Sequence, residues 1–399
     1  MSSVIVVGIA ALASLFMAWT IGAGSSGSTP FAPAVGANAI SVMRAGFIVG
    51  ILGFLGAAFQ GANVSEAVGR ELIRNVTLTP VAATTALLIA ATLVAVGVFS
   101  DYPIATSFTV TGAVIGTGLA LGGAPAWAKY YEIGALWVLT PFAGGGIAYG
   151  TARTLRKEGV SERVAIPVLG GVVGGIIGNI EFVFLGDPGE SASLATVAIT
   201  AVWGPDPLVR ASVSLAAAVV PAAALWWGIG RDSARTQRRF LLVLGGLVAF
   251  SAGGSQVGLA IGPLLPLLDP FDLPLIAVLI GGGVGLLVGS WTGAPRMIKA
   301  IAQDYSSLGP QRSTAALIPS FAIAQIAIFF GIPVSFNEIM VSAVVGSGYA
   351  AGDAGVSRDK ILYTVGAWVG SLALAGVAGY VVFVGIDTVA RSTGGFLFS

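Results

Sequence analysis

The sequence contains no cysteine and no histidine, and charged residues make up only 9% of its 399 positions. These two absences exclude disulfides, thiol chemistry, zinc sites built on cysteine or histidine, and an imidazole proton relay. The net charge of +1 gives no indication of a nucleic-acid partner. Since a soluble protein carries about 25% charged residues, the low charge also excludes an ordinary soluble domain.

Hydrophobic residues make up 56% of the chain, and 58 residues are glycine, which is frequent where membrane helices pack closely or break. We therefore predict an all-α polytopic membrane protein with about twelve transmembrane segments. Apolar runs of sufficient length fall at about 4–21, 42–62, 76–98, 103–121, 133–150, 164–185, 208–229, 239–262, 273–291, 313–331, 333–352 and 361–386.

Basic residues cluster in two loops that are separated by two predicted spans, and the positive-inside rule therefore puts both loops in the cytoplasm. Counting spans from these loops puts both termini and the loop 65–75 outside the cell membrane. The first apolar run continues directly into a serine-rich stretch, so no cleavable signal peptide is expected. The basic residues are Arg153, Arg156, Lys157 and Arg163 in one loop and Arg231, Arg235, Arg238 and Arg239 in the other.

An internal repeat relates the two ends of the chain. Residues 102–122 (YPIATSFTVTGAVIGTGLALG) align without gaps with residues 332–352 (IPVSFNEIMVSAVVGSGYAAG). By the span count the two stretches begin on opposite sides of the membrane, as in transporters built from inverted repeats. We predict repeat one over 1–150, a two-helix connector over 151–230, and repeat two over 231–399.

A second pair of matching stretches is rich in glycine and polar residues at membrane depth. They are IGAGSSGSTPFAPAVG at 21–36 and AFSAGGSQVGLAIGPL at 249–264. Glycine and proline favour a broken or re-entrant helix, and broken backbone at membrane depth must face protein or a watery cavity. In each repeated motif a proline, Pro103 or Pro333, precedes the polar residues, where it favours a helix start with free N–H groups. Four helix starts near the midplane are expected to bind an oxyanion.

Hydroxyl and amide side chains in these four stretches are the candidate substrate-binding groups, because they supply further hydrogen-bond donors. The alternative is that serine and threonine only bond a carbonyl one turn back or serve helix packing. The candidates are Ser25, Ser26, Ser28, Thr106, Ser107, Ser255, Gln256, Ser335 and Asn337.

Two acidic residues lie within apolar runs, where a carboxylate is costly and usually functional. Glu338 stands inside the repeated motif, and we assign it, with Gln256, to a coupling ion, H⁺ or Na⁺. Glu181 lies late in its run and is equally compatible with a structural and a functional role. No metal site, cofactor, or nucleophile–base pair indicative of an enzyme is predicted.

The four motifs resemble those of the inorganic phosphate transporter (PiT) family. AFSAGGSQVGLAIGPL is similar to the family's HGANDVANAIGPL, and both repeated motifs resemble its PxSTTHxxVGAxxGxGLA elements. The resemblance implies a secondary active oxyanion transporter, often a homodimer. The family's Asn-Asp pairs are replaced here by Gly24-Ser25 and Ser255-Gln256, and its histidines by Phe108 and Glu338. A branch of the family thought to carry sulfate has more similar motifs.

The loss of both aspartates also favours sulfate on chemical grounds. Phosphate near neutral pH carries an O–H group that needs an acceptor, whereas sulfate accepts hydrogen bonds only. We therefore predict a cation-coupled sulfate permease that binds its anion by donors alone, with a phosphate symporter of the same family as the alternative. A channel or a non-transporting scaffold is disfavoured by the inverted repeat.

Overall fold

The computed structural model describes residues 3–186, 191–201, 205–305, 308–350, 352 and 358–392. The chain ends, whose orientation was predicted, and Ala351 of the second repeated motif lie outside these residues. The described part is almost entirely helical. Its helices are α1 (Ser3–Gly24), α2 (Ala32–Gly36), α3 (Val42–Gln60), α4 (Ala62–Glu66), α5 (Pro80–Phe99), α6 (Thr106–Ala120), α7 (Trp127–Leu155), α8 (Glu162–Ile177), α9 (Leu194–Ala201), α10 (Asp206–Arg231), α11 (Ser233–Ile261), α12 (Leu265–Leu268), α13 (Leu275–Thr292), α14 (Ala294–Asp304), α15 (Pro310–Phe329), α16 (Phe336–Tyr349) and α17 (Arg358–Ser392).

Short irregular elements complete the chain. A π-helical turn covers Ala67–Glu71, and 3₁₀ turns cover Val183–Leu185, Gly262–Leu264 and Asp269–Phe271. Two antiparallel strand pairs are formed by β1 (Ile73–Arg74) with β2 (Ala124–Pro125) and by β3 (Glu181–Phe182) with β4 (Ala192–Ser193).

Each of the twelve predicted runs contains a helix, but they are not of equal length. Among the described residues, nine helices are long and apolar enough to cross a membrane, so the prediction of a polytopic membrane protein is confirmed. The other three, α6, α8 and α16, have 15, 16 and 14 residues. At 1.5 Å per residue they extend about 21–24 Å, which is shorter than a hydrocarbon core of about 30 Å.

The short helices α6 and α16 each follow an extended segment that enters the fold. Residues 102–105 and 332–335 have no helical structure, and their prolines, Pro103 and Pro333, are buried. Because β2 pairs with β1, the end of α6 returns beside the start of α5. The extended segment and α6 together therefore traverse the thickness that α5 covers alone, and α6 begins deep inside.

The two broken stretches differ, which corrects the prediction for the second one. In the first half α1 ends at Gly24 and a run of turns follows before α2. In the second half α11 continues as a helix through Gly253, Gly254 and Gly258 and ends only at Ile261, before Pro263. These glycines serve packing: a Cβ on Gly253 would overlap the carbonyl oxygen of Gly53, and one on Gly258 would press on the backbone of Ser65.

The packing of the two halves is reciprocal. A Cβ on Gly116 of α6 would overlap the carbonyl of Gly376 on α17, and one on Gly346 of α16 would overlap the carbonyl of Gly145 on α7. In the repeat alignment Gly116 corresponds to Gly346. The short helix of each half thus packs on the long helix of the other half, so the halves interlock.

Side chains that face outward from the long helices are largely apolar. Leu208, Leu215 and Val220 on α10 and Leu362 on α17 are more than 60% exposed. A surface of this kind is stable only in lipid. The connector helix α10 lies at this surface, and residues of the four polar motifs lie in the interior.

Candidate functional site

Gln256 of α11 hydrogen-bonds to three other segments in the interior. Its Oε1 accepts hydrogen bonds from the hydroxyls of Thr106 at 2.7 Å and Ser25 at 3.3 Å. Its Nε2 donates to the carbonyl of Val334 at 2.5 Å. Gln256, Thr106 and Ser25 are fully buried. The structure therefore brings together all four polar motifs, which are up to 309 positions apart in the chain.

Asn337, in the first turn of α16, makes the complementary connection. Its Nδ2 donates to the carbonyl of Ile104 at 2.7 Å and to that of Gly24 at 3.0 Å. In the repeat alignment Ile104 corresponds to Val334, whose carbonyl accepts from Gln256. Both amide side chains thus come from the second half, and they bond the carbonyls of the extended segments of both halves.

Two tryptophans hold the extended segments in a matching way. Trp137 Nε1 on α7 donates to the carbonyl of Pro333, and Trp368 Nε1 on α17 donates to that of Pro103, both at 2.8 Å. The tryptophans are 231 positions apart, close to the offset that aligns the motifs. Sequence reasoning missed them, although this spacing was the available signal.

Helix ends of both kinds meet at the site, which corrects the prediction of four helix starts. The N-termini of α6 and α16 begin there, and free N–H groups at a helix start favour an anion. The C-terminus of α1 also ends there, and the carbonyls at a helix end favour a cation. The helix α11 passes through without a break because its glycines pack against α3 and α4.

Several buried polar atoms at this junction have no hydrogen-bond partner within the protein. In the described chain they include the hydroxyls of Ser107, Ser255 and Ser335 together with Asn337 Oδ1 and Glu338 Oε2. An unpartnered buried polar group costs about 1–3 kcal/mol, so such groups mark places where a ligand, ion or water is bound. The three hydroxyls are donors or acceptors, whereas the amide and carboxylate oxygens accept.

Several other hydroxyls of these motifs bond the backbone of their own segment. Ser28 Oγ donates to the carbonyl of Ser25, in the turn after α1, at 3.1 Å. Thr29 and Thr109 likewise bond carbonyls four residues back. Ser26 is buried in the same turn as Ser28. The contact of Ser28 in the structure is therefore the local backbone bond that was the alternative to anion binding.

Glu338 lies in the first turn of α16 with 2% of its surface exposed. Its counterpart in the first half, Phe108, stacks on Trp137 with ring centroids 3.8 Å apart. The carboxyl group is therefore present on only one side of the pseudo-symmetric site. Within the described residues, no group of three or more acidic side chains is arranged to hold a metal ion.

The chain is similar along its length to known transporters. Residues 21–379 match the phosphate transporter family. A protein of Pyrococcus furiosus that is named a phosphate permease is 25% identical over 389 residues, which cover 92% of this chain and 93% of the relative. The chloroplastic inorganic phosphate transporter 2-1 of Arabidopsis thaliana is 25% identical over 415 residues, which cover 88% of this chain and 67% of the relative.

A solved structure named the sodium-dependent phosphate transporter has the same fold. It superposes with a TM-score of 0.80 and 22% identity, covering 96% of this chain and 99% of that chain. These relatives carry phosphate in their names, so the predicted resemblance to a sulfate-carrying branch finds no support among them. Because the family match extends over most of the sequence, this chain belongs to the phosphate transporter family.

Proposed function

We propose that this protein is a cation-coupled transporter of inorganic phosphate that binds its anion where the four polar motifs meet. The observation that carries the proposal is the set of unpartnered buried atoms at that junction. It contains three hydroxyls and, on α16, two acceptor oxygens. Two helix N-termini add N–H donors.

This mixture of groups fits phosphate better than sulfate. A phosphate ion with a remaining O–H group donates one hydrogen bond and accepts the others, whereas sulfate only accepts. Glu338 Oε2 and Asn337 Oδ1 are acceptors adjacent in sequence to the α16 start, and sulfate would leave both without a donor. The sequence-based prediction of sulfate assumed donors alone, and it is replaced here by phosphate, the alternative that the named relatives favour.

A coupling cation is supported by the same junction. The last carbonyls of α1, the negative end of its helix dipole, lie beside the motif that carries Glu338, since Gly24 accepts a hydrogen bond from Asn337. A doubly charged anion entering against an inside-negative potential meets about 2.3 kcal/mol per charge per 100 mV. Two or more cations, Na⁺ or H⁺, must therefore accompany it. The interlocked halves are expected to alternate the access of this site between the two faces of the membrane.

The test is uptake of radiolabelled phosphate and sulfate into proteoliposomes that contain the purified protein. Na⁺ and pH gradients are imposed separately, and empty liposomes serve as the control. We expect saturable phosphate uptake that one of the two gradients drives and that sulfate inhibits weakly. Faster uptake of sulfate than of phosphate would overturn the assignment of substrate, and uptake that neither gradient drives would overturn coupling. The predicted homodimer remains a separate prediction, checked by the mass of the purified protein in detergent.

A further inference from the structure

A cavity of about 630 Å³ lies between the connector and the two halves of the fold. Its walls come from the C-terminal ends of α3, α8 and α15, from α10, and from the segment that leads into β3. The wall side chains are mostly apolar and include Phe59, Ile176 and Phe329. None of the candidate anion-binding residues lines it. The cavity is therefore a separate space from the site described above.

The inner end of the cavity is closed by two buried amide side chains. Gln60 and Gln325 are 5% and 8% exposed, and each donates from Nε2 to the Oε1 of the other at 3.3 Å. Gln60 also donates to the carbonyl of Glu181 at 3.1 Å. These bonds join α3, α15 and the connector, and they are neutral hydrogen bonds without an ion pair.

Behind the amide pair, buried polar side chains of α11 lie in the direction of the anion site. Gln325 Nε2 donates to Ser251 Oγ at 2.6 Å, and Ser251 is fully buried on α11. Ser255, whose hydroxyl has no partner, follows four residues later on the same helix. Residues four apart lie on one face of a helix, one turn or about 6 Å along its axis. The cavity and the site are thus separated by one amide pair and one helical turn.

The corresponding turn of the other repeat is tightly packed and ion-paired. The turn between α5 and α6 corresponds to the turn between α15 and α16, which borders the cavity. There a Cβ on Gly97 would press on Ile104 and on the carbonyl of Tyr102. The guanidinium of Arg296 also forms a double hydrogen bond with Asp101, at 2.7 and 3.3 Å. The two corresponding turns therefore have different surroundings: the turn after α15 borders the cavity, whereas the turn after α5 packs on itself and is bonded to α14.

We propose that the cavity is the aqueous vestibule through which phosphate reaches the site, and that the Gln60–Gln325 pair is its gate. This inference depends on the proposed function. The walls are mostly apolar. Their polar side chains outside the gate are Asn63, Asn179, Glu181, Ser191 and Ser214, none of them basic, so the walls do not retain an anion. When the gate is closed, its two amide groups hydrogen-bond each other. When an anion with an O–H group passes, each amide can donate a hydrogen bond to the anion and accept one from its O–H group. Opening breaks neutral hydrogen bonds and leaves no buried charge unpaired.

The test uses the natural absence of cysteine, because each introduced thiol is then the only one in the chain. Ala322 lines the cavity on α15, and Ala315 on the same helix is fully buried away from it. In detergent, the anionic reagent 2-sulfonatoethyl methanethiosulfonate is expected to modify Ala322→Cys at least about tenfold faster than Ala315→Cys, because only an accessible thiolate reacts. After reconstitution, modified Ala322→Cys should have lost most of its phosphate uptake relative to the same variant left unmodified.

The gate is tested with a thiol placed behind it. Ser251→Cys should react slowly in the otherwise natural chain and about tenfold faster when Gln325→Ala or Gln60→Ala is added. The two gate variants serve as checks on each other, and size-exclusion profiles identify a variant that does not fold.

The outcomes separate the two proposals. If the natural chain takes up phosphate but Ala322→Cys reacts no faster than Ala315→Cys, the cavity is lipid-filled or closed and the vestibule is refuted. Full uptake after modification of Ala322→Cys would also refute it. An unchanged Ser251→Cys rate in both gate variants would refute the gate. If the natural chain takes up no phosphate, the proposed function fails, whatever the labelling shows.

Discussion

Replacing Gln256 with leucine removes the side chain that connects the four motifs while nearly preserving its size. In Gln256→Leu the hydroxyls of Thr106 and Ser25 lose their shared acceptor, and the carbonyl of Val334 loses its donor. Gln256, Thr106, Ser25 and Val334 are all fully buried, so bulk water does not replace the lost partner. The N-termini of α6 and α16 are therefore expected to be held less firmly around the anion.

The size of the effect follows from the three lost hydrogen bonds. Each contributes about 1 kcal/mol net, so assembling the site costs about 3 kcal/mol more in the variant. Since every 1.4 kcal/mol changes an equilibrium constant tenfold, phosphate affinity should fall by about 100-fold. The fold itself rests on the interlocked helices and should persist.

Isothermal titration calorimetry of the detergent-purified protein measures this change in phosphate affinity. Gln237→Leu is the matched control, because Gln237 also donates two side-chain hydrogen bonds, to Glu162 and Ser233, near the start of the same helix. Gln237 lies 19 residues before Gln256 on the helix, a distance of about 28 Å. The phosphate affinity of the Gln237→Leu protein should therefore be unchanged. A Gln256→Leu protein that binds phosphate as tightly as Gln237→Leu would refute the reasoning.

Three further changes test other parts of the structure. Glu338→Gln should uncouple uptake from the driving cation gradient, and normal gradient-driven uptake in this variant would remove Glu338 from that role. Gly116→Ala should lower the free energy of unfolding by about 1–3 kcal/mol, because its Cβ would overlap the backbone of α17. Gly366→Ala on α17 is the control, since open space surrounds that glycine. Equal thermal midpoints for the two variants would contradict the packing. Trp137→Phe and Trp368→Phe should each lower the free energy of unfolding by about 1 kcal/mol and should reduce the uptake rate to a similar extent. An effect in only one of the two variants would contradict the paired geometry.

The internal repeat and the meeting of the polar motifs are visible in the sequence, because both depend on the spacing of glycine and polar residues along the chain. Gly116 aligns with Gly346, and the structure gives both the same role, close contact with a long helix of the other half. The polar motifs also meet as expected, since polar side chains at membrane depth must find one another or a wet cavity. The sequence thus predicted that the polar motifs meet, whereas the local bond of Ser28 to the carbonyl of Ser25 is the alternative reading of these residues. Which of the residues bind the anion stays a prediction.

Features that depend on exact tertiary contacts were not predictable. Glycines that permit a helix to break also permit helices to touch. Only the positions of α3, which contacts Gly253, and of α4, which contacts Gly258, decide that these glycines serve helix contact. The carbonyl acceptors of Ile104 and Val334 have no signal in the side-chain sequence. Whether Glu338 faces the anion or only the cation was equally undetermined. The prediction of sulfate followed from the loss of both aspartates and from the resemblance to a sulfate-carrying branch, and it assigned Glu338 to the coupling ion.

The position of the bound anion tests the central claim most directly. Arsenate has the shape and protonation behaviour of phosphate, and its arsenic atom is located by anomalous X-ray scattering from a crystal of the complex. We expect one strong arsenic peak beside the starts of α6 and α16, at a position where the oxygens of arsenate are within hydrogen-bonding distance of the hydroxyls of Ser107, Ser255 and Ser335. A peak remote from these hydroxyls, or no peak at an arsenate concentration that inhibits phosphate uptake, would contradict it.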